Sequence, residues 1–422
     1  MEDIMNKELE CIDALPKLGL ACMEYSAYAL GLNIAPRKRS SKPCKIICFV
    51  ALIMNLCIIY SLIQFIMVHY TISFEAYVEA VLLTFQISVG VVKMFYFRCY
   101  LDVCVKILRA TEMGEVLRSI GIFDLGLPHK FDLRDALGSI LRKSWQEIDK
   151  QVMFFFRIVC MPVFYYIMRP YFQYIHYCYI VEDNCNMTLT YPAIVPYVRL
   201  GTHEYPSYIL RSFLLQTGPL WCFFTVFGFN SLFVVLTGHE VGLLQVLRLL
   251  VQHSTSDAIV PKNLRVPYLR CCVRLYARIN RHHAQIEYLF KYIILVQCIV
   301  SCMLICMLLY KISTVIDVGF VMLGMIMVYL ITITLEISLY NVNAQKVESQ
   351  SELLYFDWYN CGWYNECPDF KFMIKMMLLF SRRSLVLSVG GFTNMSHKFL
   401  VQVFRMSGNF FLLLRNMNNK ME

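Results

Sequence analysis

Cys44–His69 reads CKIICFVALIMNLCIIYSLIQFIMVH, with Lys45 its only Lys, Arg, Asp or Glu. A helix rises about 1.5 Å per residue and the hydrocarbon core of a bilayer is about 30 Å thick, so about 20 apolar residues suffice to cross it. This run meets that length with residues to spare. Arg37, Lys38, Arg39 and Lys42 precede it, whereas the turn that follows, Tyr70–Glu75, holds no Lys or Arg. Cations at helix ends stay on the cytoplasmic side, so the amino terminus is expected inside the cell.

Five further segments repeat the pattern: Ala76–Phe97, Gln151–Tyr171, Tyr208–Gly238, Tyr288–Tyr310 and Asp317–Tyr340. A seventh, Met395–Leu414, is interrupted by Lys398, Gln402, Arg405 and Asn409, as expected of a helix that lines water rather than lipid. The stretch Arg98–Lys150 carries nine basic residues and Glu240–Lys291 eight, against Arg199 alone in Phe172–Tyr205. Alternate loops therefore agree on orientation. Seven crossings from an inside start put the carboxyl terminus outside, the reverse of a rhodopsin-like receptor, and no Asp-Arg-Tyr or Asn-Pro-x-x-Tyr motif stands where such a receptor would need it.

Composition supports the bilayer as solvent: of 422 residues 58% are hydrophobic and 16% charged, a balance foreign to a water-soluble domain. The net charge of +9 is spread through the loops rather than gathered in an arm, so no nucleic-acid partner is expected. Most of the 18 cysteines sit in apolar runs, where a thiol acts as a small hydrophobe. Met1–Leu20 has no apolar run and cleavage site of a signal peptide. The sequon Asn186-Met187-Thr188 falls in a loop assigned to the lumenal side, where glycosylation occurs. Cys178 and Cys185 share that loop and are free to pair or not.

The cytoplasmic loops after the second, fourth and sixth crossings are each about 50 residues and show helical apolar spacing. In Leu264–Ile286, Leu269, Cys272, Val273, Tyr276, Ile279 and Ile286 share one face and Arg270, Arg274, Arg278 and Arg281 the other. Such helices extend below the membrane and pack together.

The last 65 or so residues hold the most specific pattern: Tyr359-Asn360-Cys361-Gly362-Trp363-Tyr364, Pro368, the run Met373–Phe380, Ser381-Arg382-Arg383-Ser384-Leu385, Leu387-Ser388-Val389-Gly390-Gly391-Phe392, then Phe399–Leu414. This resembles the carboxyl-terminal signature of the insect odorant receptors, in which a Trp-Tyr step leads a cytoplasmic helix, a Gly turn and a pore helix. One departure is Ser407-Gly408-Asn409 before Phe410-Phe411, where the family often has Ser-Tyr-Ser. The Thr-Tyr and Gln-Phe pattern of gustatory receptors is absent, and the second cytoplasmic loop is shorter than the co-receptor's. The resemblance thus points to a ligand-tuning subunit.

It implies an odorant-gated, non-selective cation channel in the plasma membrane of olfactory dendritic cilia, a heterotetramer with the odorant receptor co-receptor, without cofactor. The expected division is 1–43 cytoplasmic, 44–341 crossings one to six with extended loops, 342–393 cytoplasmic anchor, 394–415 pore helix and 416–422 extracellular tail. Gln402, Asn409, Leu413 and Asn416 are expected along the pore, Leu413 at the gate, although it could equally be a lipid-facing leucine. A small volatile ligand is expected among crossings two, three, four and six, near Tyr77, Leu83, Met161, Phe164, Tyr165, Met168, Phe213, Thr217, Phe320 and Gly324.

Glu79, Lys93, Arg211, Lys291 and Glu336 lie near helix ends and are expected to snorkel, whereas Asn55, Gln64 and Gln86 lie deeper and are expected to bond between helices. His283 and Glu287 share a face at i and i+4, but a third metal ligand is not evident. No GxxxxGK, HExxH or GxSxG motif occurs, so an enzyme is not expected. Another inverted seven-helix chemoreceptor, such as a gustatory receptor, and then a transporter remain the alternatives.

Overall fold

The computed structural model describes residues 18–32, 42–69, 74–109, 121–127, 130–175, 205–315 and 320–421. The chain runs α1 (Leu18–Ala29), α2 (Lys42–His69), α3 (Phe74–Cys99), α4 (Leu101–Arg109), α5 (Lys130–Ile175), α6 (Tyr205–Gln252), α7 (Arg265–Val315), α8 (Phe320–Asn360), α9 (Pro368–Ser381), β1 (Ser388–Val389), β2 (Thr393–Asn394) and α10 (His397–Met421). Among the described residues six helices, α2, α3, α5, α6, α7 and α8, are long and apolar enough to cross a membrane. The amphipathic α10 is the seventh.

Four of these helices run well past the expected bilayer limits. Each of α5 to α8 exceeds 40 residues, about 60 Å or more at 1.5 Å per residue, twice the hydrocarbon thickness. Their extensions meet at the end of the bundle that bears the basic loops. There Leu269, Cys272, Ile279 and Ile286 are buried while Arg270, Arg274 and Arg281 are exposed, the division their spacing predicts. Trp358 and Tyr268 are fully buried beside them, and the Tyr268 hydroxyl donates to the Leu250 carbonyl at 3.1 Å.

Polar clamps lace this end together. Arg248 reaches Asp357 at 2.6 Å and Gln350 at 2.8 Å, joining α6 to α8. Arg265 pairs with Asp257 at 2.6 Å, with Glu366, and with the Thr255 carbonyl at 2.8 Å. A buried guanidinium is tolerable only when its donors are matched in this way. On the short α4, burial pushes the Cys104 thiol up to about 12, so it packs as an apolar group.

The all-α expectation meets one small exception. Ser388 pairs with Asn394 and Val389 with Thr393 in an antiparallel hairpin, whose turn holds Gly390 and Gly391 at φ 62° and 82°. Glycine alone enters that region without a Cβ penalty. A side chain at either position would also collide, at 2.7 Å, with Leu295 or Lys291 of α7.

Candidate functional site: a cavity between four helices and the amphipathic last helix

Near midspan, four helices part around a mostly apolar cavity of about 70 Å³. Helix α3 contributes Leu83, Gln86 and Ile87, α5 Val159, Pro162, Val163 and Tyr166, α6 Pro219, Cys222, Phe223 and Val226, and α8 Tyr329, Thr332, Ile333 and Glu336. Two local features of α6 shape it. Pro219 lacks an N–H and loosens the helix ladder at that level. Gly218 lets α6 approach α2 and α3 so closely that a Cβ would lie 3.0 Å from Ile58 and 3.4 Å from Ile87.

One pole of the cavity is polar. The Tyr329 hydroxyl stands 3.5 Å from Gln86 Oε1, Thr332 caps back to the Val328 carbonyl at 2.9 Å, and Glu336 closes the end. Glu336 Oε1 accepts from Lys93 Nζ at 2.9 Å and from Asn230 Nδ2 at 3.0 Å, and the Tyr340 hydroxyl donates to the Asn230 side-chain oxygen. Such a pocket, apolar with a few fixed polar groups, is built for a small organic ligand. An apolar cavity of about 150 Å³ holds benzene, so a ligand of that size requires the aromatic walls to move.

Of the residues the sequence analysis placed near a ligand, Leu83 lines this cavity. Met161 and Phe164 face outward, 60% and 59% exposed, Gly324 is also exposed, and Tyr165, Met168 and Thr217 are half-buried away from the lining. Tyr77 packs on a separate cluster with Val78, Leu304 and Ile305. Asn186, Cys178, Cys185 and the side chains of Phe213, Phe320 and Arg211 lie outside the described residues. The cavity's polar pole was partly legible: Gln86, Thr332 and Glu336 interrupt apolar runs.

Snorkelling fails as a description of three of the charged residues. Lys93 and Glu336 are buried and paired with each other, and Glu79 is held by Arg169 at 2.7 Å and Lys311 at 3.4 Å. Desolvating an ion costs several kcal/mol, so the pairing is what permits the burial. Asn55 and Gln64 bond within their own helix, to the Ala51 carbonyl at 2.7 Å and the Tyr60 hydroxyl at 2.7 Å; short-range partners satisfied them first. Gln86 does reach across to another helix, accepting from the Tyr329 hydroxyl. Among the described residues no cluster could hold a metal: His283 bonds Glu240 at 2.7 Å and the Val386 carbonyl at 3.2 Å, while Glu287 accepts from Ser388 at 2.8 Å.

Helix α10 buries Val403 and Ser407 against α7 and α8, and Ser407 Oγ lies 3.3 Å from Cys302 Sγ. Gln402, Asn409, Leu413 and Asn416 stand on its exposed side. The hairpin before it is held by α7, through the Gly390 amide to the Lys291 carbonyl at 2.9 Å and Ser388 to Glu287. Movement of α7 therefore has a short mechanical path to α10.

Residues 73–408 match the sequence model described as 7tm Odorant receptor. The chain belongs to the odorant receptor family. It is 70% identical over 421 residues to Odorant receptor 67b of Drosophila melanogaster, covering 100% of both chains, and 26% identical over 399 residues to Odorant receptor 63a of the same fly, covering 93% of this chain and 94% of that one. The chain is a ligand-tuning receptor of the family, not its co-receptor. In fold the odorant receptor is similar to the insect olfactory receptor OR5 from Machilis hrabei, with TM-score 0.75 in its complex with eugenol, at 14% identity and 98% coverage of both chains. The structure of the same OR5 described without eugenol gives TM-score 0.72 at 13% identity, covering 97% and 98%. The chain is thus a multi-pass, all-α, seven-helix membrane receptor of a family that binds small odorants, not an enzyme.

Proposed function

We propose that this odorant receptor is the tuning subunit of a ligand-gated, non-selective cation channel, assembled as a heterotetramer with the odorant receptor co-receptor in the dendritic cilia of olfactory neurons. Its amino terminus lies in the cytoplasm and its carboxyl terminus outside, so that Asn186 is presented for glycosylation. A small volatile ligand enters the cavity between α3, α5, α6 and α8. The segment 394–415 lines the ion path, with Gln402, Asn409 and Asn416 facing water and Leu413 at the constriction, and 342–393 belongs to the cytoplasmic anchor.

The observation that carries the reading is a mostly apolar cavity in the same chain as a helix that carries a polar stripe, Lys398, Gln402, Arg405, Asn409 and Asn416, among its exposed residues. A ligand opens the path only by binding the open arrangement more tightly, and a preference of about 1–3 kcal/mol changes the equilibrium by about 5-fold to 150-fold. The route runs from the cavity wall on α8 and α6 through α7 and the hairpin to α10.

The test is whole-cell current from cells expressing the chain with and without the co-receptor, under a panel of volatile alcohols, aldehydes, esters and aromatics. A rapid cation current that needs both chains and survives block of G-protein signalling supports the proposal. Silence from a pair shown to be at the surface would overturn it.

A further inference from the structure

From Leu387 to Asn416 the chain contains Lys398, Arg405 and Arg415 and no Asp or Glu. At about 100° per residue, Lys398, Gln402, Arg405, Asn409 and Asn416 fall within about 60° of arc on α10, and all five are exposed. Val403 and Ser407, on the far side, are buried. Lys398, Gln402 and Arg405 also border an open cleft of mixed polarity shared with Thr393, Asn394, Ser396, Phe399 and Val401. Among the described residues neither Lys398 nor Arg405 has an ion-pair partner. On the neighbouring helices, Glu287 is engaged by Ser388 and Glu336 by Lys93. A cation on this stripe would cost several kcal/mol against lipid, so the stripe faces water.

We propose that Arg405, seconded by Lys398, is a charge filter of the ion path that holds down calcium entry relative to sodium. The inference rests on α10 lining the path and goes beyond it. Coulomb energy scales with the charge of the passing ion. In water, a fixed unit charge about 6 Å from the ion lowers its occupancy about threefold for a monovalent and about tenfold for a divalent cation. Each copy of this subunit therefore biases the path against divalents about threefold. The amides at Gln402 and Asn409 offer dipoles to either ion without that bias.

The experiment compares wild type, Arg405→Gln, Arg405→Glu, Arg405→Lys and Lys398→Gln, each expressed with the co-receptor, using the current evoked by the same volatile panel. The calcium-to-sodium permeability ratio is read from reversal potentials. Arg405→Gln is expected to raise the ratio about threefold, Arg405→Glu further and Lys398→Gln less, with Arg405→Lys unchanged. The differences should shrink as ionic strength rises from about 0.05 M to 0.5 M and the screening length shortens. Equal ratios in all variants at normal surface level would overturn the filter, and so would an unchanged ratio in Lys398→Gln if Arg405→Gln fails to reach the surface. Labelling of Asn409→Cys by a charged thiol reagent separates the two claims. Block of the current by the reagent with unchanged ratios removes the filter alone, whereas intact current without labelling removes the pore assignment beneath it.

Discussion

Lys93 of α3 and Glu336 of α8 meet at 2.9 Å with both side chains buried, and the same carboxylate closes the polar end of the cavity. One contact thus joins the wall that meets a ligand to the frame that holds two crossings together. Removing either partner strands the other charge, at a cost of about 3–5 kcal/mol, while replacing both with apolar groups can be nearly neutral. Lys93→Met and Glu336→Leu should each abolish surface expression, and the double variant should regain part of it. The check is surface biotinylation of all four forms; a double variant no better expressed than either single one would mean the two residues are not coupled.

The cavity predicts a graded response to its walls. Val163→Phe and Val226→Phe place a ring where the ligand would sit, and overpacking costs about 1–3 kcal/mol, so the dose response should move to about tenfold higher concentration or be lost. Phe164→Ala, at an outward-facing residue next to Val163, should leave it within about twofold. Dose-response curves normalised to surface level decide. A larger shift from Phe164 than from Val163 would move the ligand off this cavity.

How far the sequence could go is visible in this pair. Crossings and charge bias are properties of runs of residues, so they were legible without knowing any contact. The cavity depends on which side of each helix faces its neighbours, and in a chain apolar all round, Val163 and Phe164 look alike. Lys93 and Glu336 are 243 residues apart in sequence, too far for any local signal to pair them. The buried face of Leu264–Ile286 was readable because water lies on its other side. The hairpin escaped because two-residue strands leave no period to detect; Gly390-Gly391 was its only trace.

That turn gives the third prediction. Gly390→Ala and Gly391→Ala each force a side chain into left-handed backbone, a strain of about 1–3 kcal/mol, and into contact with α7 at 2.7 Å. Both should depress ligand-evoked current more than ligand binding. Ser388→Ala removes only the 2.8 Å bond to Glu287 and should reduce maximal current with surface level preserved. If Ser388→Ala matched wild type in maximal current and activation rate, the Ser388–Glu287 bond would not be part of the link between α7 and α10, which would then rest on the Gly390 amide to Lys291 carbonyl bond.

The gate prediction turns on two adjacent leucines. On a regular helix Leu412 and Leu413 flank the line through Gln402, Asn409 and Asn416 by about 50° on either side, and their exposures, 53% and 56%, do not separate them. A closed path needs an apolar ring that expels water, and in this arrangement both leucines contribute to it. Leu413→Ala should therefore raise the current without ligand, Leu412→Ala should do so to a similar degree, and the double variant should leak more than either. The measurement is standing current before and after channel block, normalised to surface level. An effect from Leu413 alone would rotate α10 by about half a residue and put that side chain on the axis, and wild-type leak from all three would place the constriction elsewhere along the helix.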